Sequence, residues 1–314
     1  MKNIAFIFPG QGSQYVGMGK EIYEEFLVAK EVFKKANKIL NKDIANLCFN
    51  GPIEELTSTE NNQVAIVTLS IALFEILKSY GINAKIVAGL SLGEYSALIS
   101  SGIMSFEQGL KVVRERGIFM KEDSDTTNGS MAAVIGGKIE DIEDVFKKLS
   151  VKGIIDIANY NCSSQVVISG EDSLVEEAMR ILKTKGVKKI VKLSVSGGFH
   201  TELMKNASKK LGNLLEVVAF KESNIDVIPN VTGEVLSNVT ELRCLLEAQV
   251  KSSVQWQKTI ENMINMGIDT FIEVGPGKAL SGFVKKINKE VKVLNVEDKE
   301  SVYSTLKYLK EASV

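Results

Sequence analysis

The sequence predicts an α/β protein in two parts. A large domain on a parallel sheet takes residues 1–128 and 196–314, and a small ferredoxin-like βαββαβ domain is inserted at residues 129–195. Three observations predict this. Apolar, strand-like runs alternate with helical patterns at both ends of the chain, as a parallel sheet covered by helices requires. In the middle the rhythm changes to strand, helix, two strands, helix, strand. Finally, a serine framed by glycines, "GLSLG", joins a strand to a helix, the sharp turn of an α/β-hydrolase-like domain.

The elements follow in order. "NIAFIF" (Asn3 to Phe8) reads as a buried strand and runs into the glycine-rich "PGQGSQ". Helically spaced apolar residues in "IYEEFLVAKEVFKKANKIL" predict one helix from Ile22 to Leu40, and a second runs from Gln63 to Ser79. "AKIVAG" (Ala84 to Gly89) is a strand of small and β-branched residues, and "GEYSALISSG" a helix. In the insert, "MAAVIGG", "GIIDIANY", "SQVVISG" and "KKIVKLSV" are strands. "IEDIEDVFKKL" and "SLVEEAMRILKTKG" are the helices between them. The large domain resumes with strands "NIDVIPNV" (Asn224 to Val231) and "DTFIEVG" (Asp269 to Gly275). The helix "GKALSGFVKKI", the strand "VKVLNV" and the amphipathic "SVYSTLKYLKEA" complete it.

Composition narrows the function. Hydrophobic residues make up 45% and charged residues 25%, the balance of a soluble globular protein. A net charge of -1 lacks the basic excess of a nucleic-acid binder. The longest apolar stretch, Val64 to Leu77, is interrupted by Thr68, Ser70 and Glu75 and reads as too short for a bilayer. The N-terminus lacks a signal peptide's length and cleavage pattern. Cys48, Cys162 and Cys244 are far apart and odd in number, so they suggest neither a metal site nor a disulfide framework. The expectation is a cytoplasmic monomer with no metal, nucleic acid or membrane partner.

The chemistry centres on Ser91. A strand precedes it, a helix follows, and the flanking Gly89 and Gly93 allow a sharp turn with close backbone approach. The Leu92 N–H, at the helix start, is placed to bind a developing oxyanion. A serine hydroxyl needs a base, and the chain holds one histidine, His200, just after the insert. A triad acid is missing: Asp156 and Asp172 lie between the two but within the small domain. No "HGGG" oxyanion stretch is present either, the nearest substitute being "FPGQGSQ".

Seven motifs occur in one order: "FIFPGQGSQYVGMG", "GLSLGEYSAL", "VRERGIFM", "ANYNCSSQVVISG", "SGGFH", "QVKSSVQW" and "FIEVGPGKAL". Through them the chain resembles the malonyl-CoA:acyl carrier protein transacylases, from the first strand to about Lys286. The resemblance implies Ser91 as nucleophile and His200 as base, with the imidazole oriented by the main-chain carbonyl of Gln249 rather than by a carboxylate. It implies an oxyanion hole from the N–H groups of Gln11 and Leu92, and Arg116 as the malonyl carboxylate's partner. A guanidinium fork suits that task, since it holds a carboxylate in two charge-assisted hydrogen bonds. Asn161 and Gln165 match cleft-lining polar residues, and Asn230 less closely. Phe199 matches a position that favours malonyl over methylmalonyl, ordinary core packing being the alternative.

Malonyl-CoA is then the donor, the phosphopantetheine of acyl carrier protein the acceptor, and no cofactor is permanently bound. An acidic carrier calls for a basic docking patch, for which "KTKGVKKIVK" (Lys183 to Lys192) and Lys285, Lys286 and Lys289 are candidates. The family usually has histidine where this chain has Leu90, which makes Leu90 a cleft-lining position of interest. A serine thioesterase, a transacylase serving a polyketide carrier and a non-catalytic acyl-CoA binder are the competing readings.

Overall fold

The computed structural model describes residues 2–195 and 197–311. Ser196, where the large domain is expected to resume, lies outside the described residues, as do residues 1 and 312–314. Strand β1 (Ile4–Phe8) is followed by α1 (Lys20–Glu25), α2 (Leu27–Leu40), α3 (Ile44–Asn50), α4 (Ile53–Thr57) and α5 (Thr59–Ser79). Then come β2 (Ile86–Gly89), α6 (Gly93–Ser100) and α7 (Phe106–Thr126). The middle of the chain forms β3 (Gly129–Ile135), α8 (Ile139–Leu149), β4 (Ile155–Cys162), β5 (Gln165–Glu171), α9 (Asp172–Thr184) and β6 (Lys189–Lys192). The remainder is α10 (Lys205–Leu215), β7 (Asp226–Val227), α11 (Leu242–Gln249), α12 (Trp256–Asn265), β8 (Thr270–Val274), α13 (Ala279–Ile287), β9 (Lys292–Val296) and α14 (Lys299–Glu311).

The larger sheet is parallel, in the order β7-β2-β1-β8-β9. In the central strand, Ala5 pairs with Ile86 on one side and Phe271 on the other. Its side chains alternate between two cores, because successive residues of a strand face opposite ways. Phe6 and Phe8 join the core that includes residues of α5, α6 and α7. Ala5 and Ile7 pack with Trp256 and Ile260 of α12 and Leu280 and Val284 of α13. Carboxyl ends of parallel strands are where such folds bind ligands, and β1 and β2 end beside each other here.

The smaller sheet is antiparallel, in the ferredoxin-like order β4-β5-β3-β6. Ala132, Val134 and Ile168 face the apolar stripes of α8 and α9. Met131 and Val167, on the opposite face, belong to the main core of the larger unit. The edge strand β4 is also tied to the larger unit through its backbone. Tyr160 N–H donates to the Val254 carbonyl at 3.0 Å, and Val254 N–H donates to the Ala158 carbonyl at 2.8 Å.

Three expectations change. The helix read from Ile22 to Leu40 breaks at Phe26, whose extended backbone (φ -111°, ψ 113°) turns its ring into the core. The strand read over Asn224 to Val231 shrinks to Asp226–Val227, because Pro229 has no N–H for a ladder and Asn230 turns toward the serine. The apolar stretch read as too short for a bilayer belongs to α5, whose 21 residues have the length and composition to cross one. Here α5 is a core helix, and 83% of its most apolar window is buried within the protein. Helices α3, α4, α7, α10, α11 and α12 are additional to the expected elements.

Candidate active site

The β2–α6 turn is closed by backbone contact. A Cβ on Gly89 would fall 1.9 Å from the Gly93 carbonyl carbon, and one on Gly93 would fall 2.1 Å from the Phe8 oxygen. Only glycine fits positions that bring main chain against main chain so closely. Ser91, between them, has φ 52°, the left-handed region that costs an L-residue about 1–2 kcal/mol. Asn230 holds this strained turn on both sides. Its Oδ1 accepts the Ser91 N–H at 2.6 Å, and its Nδ2 donates to the Gly89 carbonyl at 2.6 Å.

The chain's single histidine reaches the serine across 109 positions: Ser91 Oγ lies 2.9 Å from His200 Nε2. On the ring's other side, Nδ1 lies 2.8 Å from the Gln249 carbonyl and 3.2 Å from that of Ser252. Two carbonyl acceptors place the proton on Nδ1, which leaves the Nε2 lone pair for the serine O–H. Among the described residues, no carboxylate bonds to the His200 ring. His200 also has a positive φ, 63°, fixed by its N–H donating to the Val250 carbonyl at 3.0 Å. Burial, reinforced by the charge of Arg116, pushes its pKa down to about 4, so the imidazole is neutral at pH 7.

Arg116 is 1% exposed although its neighbour Arg114 is on the surface, because two residues along a helix differ by about 200° in direction. Gly117 makes room for this. A Cβ there would come 2.8 Å from the Glu60 Cα, so α7 lies tightly on α5. The same approach brings Gln63 of α5 to the guanidinium: Arg116 Nη1 donates to Gln63 Oε1 at 2.7 Å. Nη2 donates to Ser91 Oγ and to Gln249 Oε1, each at 3.1 Å. Desolvation lowers the Arg116 pKa, opposed by Tyr95, whose ring lies 5.5 Å away, and by Glu94. Glu94 is itself buried, which raises its pKa to about 7.

The other expected site residues fall in different places. Leu92 starts α6 with its side chain in the core. Gln11 lies in the turn after β1, where a Cβ on the adjacent Gly10 would come 2.6 Å from the Leu90 oxygen. Among the described residues, neither the Gln11 nor the Leu92 N–H donates to a protein acceptor. Leu90 is half-buried against the α12–α13 side of the core. Phe199 packs in the main core. Asn161 sits at a bulge of β4 with its Oδ1 buried and unpartnered. Gln165 lines a groove of about 550 Å³ beside α12 that neither Ser91 nor His200 lines. Asp172 forms an ion pair with Lys192, well within the small sheet. Among the described residues, no group of three or more His, Cys, Asp or Glu side chains is placed to hold a metal ion.

Four contributors lie outside the expected set: Gln63, Glu94, Tyr95 and Ser252. Glu94 leaves a trace in the sequence, since "GEYSALIS" is apolar almost all round yet carries a carboxylate. Such a residue on a fully buried helix needs a partner. Gln63 and Ser252 leave none, because their roles depend on how helices and loops meet.

Comparison with known proteins shows the family. The acyl transferase domain family matches residues 5–307. The malonyl CoA-acyl carrier protein transacylase of Bacillus subtilis (strain 168) is 43% identical over 312 residues, 99% of this chain and 98% of that protein. The chain belongs to the malonyl CoA-acyl carrier protein transacylase family. Among solved structures of that family, the Clostridium perfringens transacylase is 46% identical and superposes with a TM-score of 0.96, covering 100% of this chain and 98% of that one. A malonyl-transacylase in complex with a type II PKS acyl-carrier protein is 34% identical, with a TM-score of 0.95 over 98% of this chain and 100% of that one.

Proposed function

We propose that this chain transfers a malonyl group from malonyl-CoA to the phosphopantetheine thiol of acyl carrier protein, through a malonyl-Ser91 intermediate. One observation carries the reading. Ser91 Oγ lies within hydrogen-bond reach of both a neutral imidazole and a buried guanidinium. His200 Nε2 takes the serine proton as Oγ attacks the thioester carbonyl. The Gln11 and Leu92 N–H groups, free of protein acceptors, hold the oxyanion. The Gln249 carbonyl keeps the imidazole aligned and stabilises it while it is charged. The intermediate collapses, the C–S bond breaks, and the proton on Nε2 passes to the departing CoA thiolate. In the second half-reaction, His200 deprotonates the carrier thiol and returns that proton to Ser91 Oγ as the malonyl group leaves. These are ping-pong kinetics.

Arg116 selects the donor by pairing with the free malonyl carboxylate, which an acetyl group lacks. Residues 129–195 form an inserted domain whose β4 braces the segment carrying Ser252 and Val254. Free thiols at Cys48, Cys162 and Cys244 fit a reducing cytoplasm. Lys188, Lys189, Lys285, Lys286 and Lys289 are exposed, and no ion pair engages them among the described residues, so they remain candidates for carrier docking. The same catalytic groups serve a fatty-acid or a polyketide carrier, and the type II PKS complex keeps the second in view.

Mass spectrometry of the protein after malonyl-CoA tests the reading. The expected result is a malonyl adduct on Ser91 that disappears on adding carrier protein and is absent in Ser91→Ala. An unmodified Ser91 would falsify it. Release of free malonate at the same rate with and without carrier would indicate a thioesterase instead.

A further inference from the structure

Glu94 lies on the first turn of α6 and is 1% exposed. One of its oxygens, Oε2, accepts two hydrogen bonds: from the Asn230 main-chain N–H at 2.9 Å and from Gln249 Nε2 at 2.8 Å. Neither bond touches the reacting atoms. The two residues it holds, however, contact the Ser91 main chain, the His200 ring and the Arg116 guanidinium. Asn230 grips the turn through the Ser91 N–H and the Gly89 carbonyl. Gln249 reaches the Ser91 carbonyl through Nε2 at 3.0 Å and accepts Arg116 Nη2 through Oε1. It also accepts His200 Nδ1 through its main-chain oxygen. Ser91 and His200 are both held at positive φ, a conformation that persists only where the surroundings over-determine it.

We propose that Glu94 is the positioning residue of this site: a single buried carboxylate oxygen clamps Asn230 to Gln249 and thereby sets the serine, the imidazole and the guanidinium in mutual register. The clamp has four parts on different stretches of chain: α6, the loop after β7, the end of α11, and α7 through Arg116. Its second oxygen, Oε1, is buried without a partner. The clamp therefore works as a doubly accepting oxygen at one fixed point. This role rests on the transacylase reading for its consequence in turnover, but not for its effect on Ser91 reactivity.

Full-length Glu94→Gln, Glu94→Asp and Glu94→Ala variants test it. Three quantities are measured: the rate of Ser91 modification by malonyl-CoA, the rate of its labelling by a fluorophosphonate, and the thermal midpoint. In Glu94→Gln the amide oxygen can accept both donors, so both rates stay close to those of the unaltered chain. The midpoint falls, because an amide NH2 replaces the partnerless Oε1. Glu94→Asp keeps the charge but withdraws the acceptor by one methylene, and both rates fall about 10-fold. Glu94→Ala removes the acceptor, and both fall about 10²-fold, the scale of a misplaced catalytic group.

A purely structural role for Glu94 predicts lowered midpoints and unchanged rates per folded molecule throughout. That result in Glu94→Asp overturns the proposal even if Glu94→Ala does not fold. Rates in Glu94→Gln as low as in Glu94→Asp overturn it too, since a neutral acceptor kept at the same reach would then not suffice. If the unaltered chain takes the fluorophosphonate but no malonyl group, the transacylase reading fails and the labelling rates still decide the role of Glu94.

Discussion

At the residue scale the site depends on how few groups share the work. In the proposed mechanism His200 needs no acid, because two main-chain carbonyls fix its tautomer, and a nearby carboxylate would raise a pKa that burial and Arg116 hold down to about 4. Arg116 has a second consequence. Its Nη1 and Nη2 donate to protein oxygens of Gln63, Ser91 and Gln249, so in the proposed mechanism a malonyl carboxylate meets a cation already aimed at Ser91. Arg116→Ala is expected to lower kcat/KM for malonyl-CoA by about 10²–10⁴-fold, the worth of one or two charge-assisted hydrogen bonds. The value for acetyl-CoA should change far less. Competition between the two donors measures the ratio, and an unchanged ratio would remove Arg116 from substrate selection. Leu90, half-buried and next to Ser91 in the chain, brings no titratable atom to the turn.

At the element scale, the β2–α6 turn is as tight as main chain allows. Gly93→Ala forces a Cβ to within 2.1 Å of the Phe8 oxygen in β1, backbone that has no room to give. The expected cost is about 3 kcal/mol or more in denaturant unfolding, with loss of Ser91 acylation. Gly12→Ala is the control. It has φ 94° but nothing within 4 Å of the added Cβ, so it carries only conformational strain of about 1–2 kcal/mol. Equal effects from the two substitutions would show that conformation rather than close approach makes Gly93 necessary. The helix pair α5–α7 works similarly, since Gly117 allows the contact that delivers Gln63 to Arg116.

At the scale of the whole molecule, the site is assembled from the ends of parallel strands and from segments braced by the smaller sheet. Burial in that assembly determines the pH response. In the proposed mechanism His200 must be neutral to act, so the Ser91 acylation rate should stay nearly level from pH 8 to about 5 and fall to half near pH 4. An ordinary histidine would give the half-point near 6.5. The pH dependence of the first burst of CoA release measures this.

Stability has two opposing contributions. Between pH 6.5 and about 4 the unfolded chain binds the His200 proton that the folded one excludes, so stability falls as pH falls. Between 4.5 and about 7 the folded chain retains the Glu94 proton that the unfolded one releases, so stability falls as pH rises. Glu94→Gln removes the second contribution, and stability in that variant should decline more steeply on acidification from 6.5 to 4.5.

The sequence alone determined the strand–helix alternation, the βαββαβ middle and the glycine-framed serine, because those depend on local periodicity and on backbone that only glycine can adopt. Its single histidine and ordered motifs were also sufficient to nominate Ser91, His200, Arg116 and Gln249. Tertiary structure decided the rest, because long-range packing has no local signature. It turned Arg116 inward and Arg114 outward, broke the first long helix at Phe26, and buried α5 in protein. It also brought Gln63, Glu94, Asn230 and Ser252 to one point. Glu94 shows the division clearly: its chemistry was visible in "GEYSALIS", but its partners lie 136 and 155 positions away and only folding supplies them.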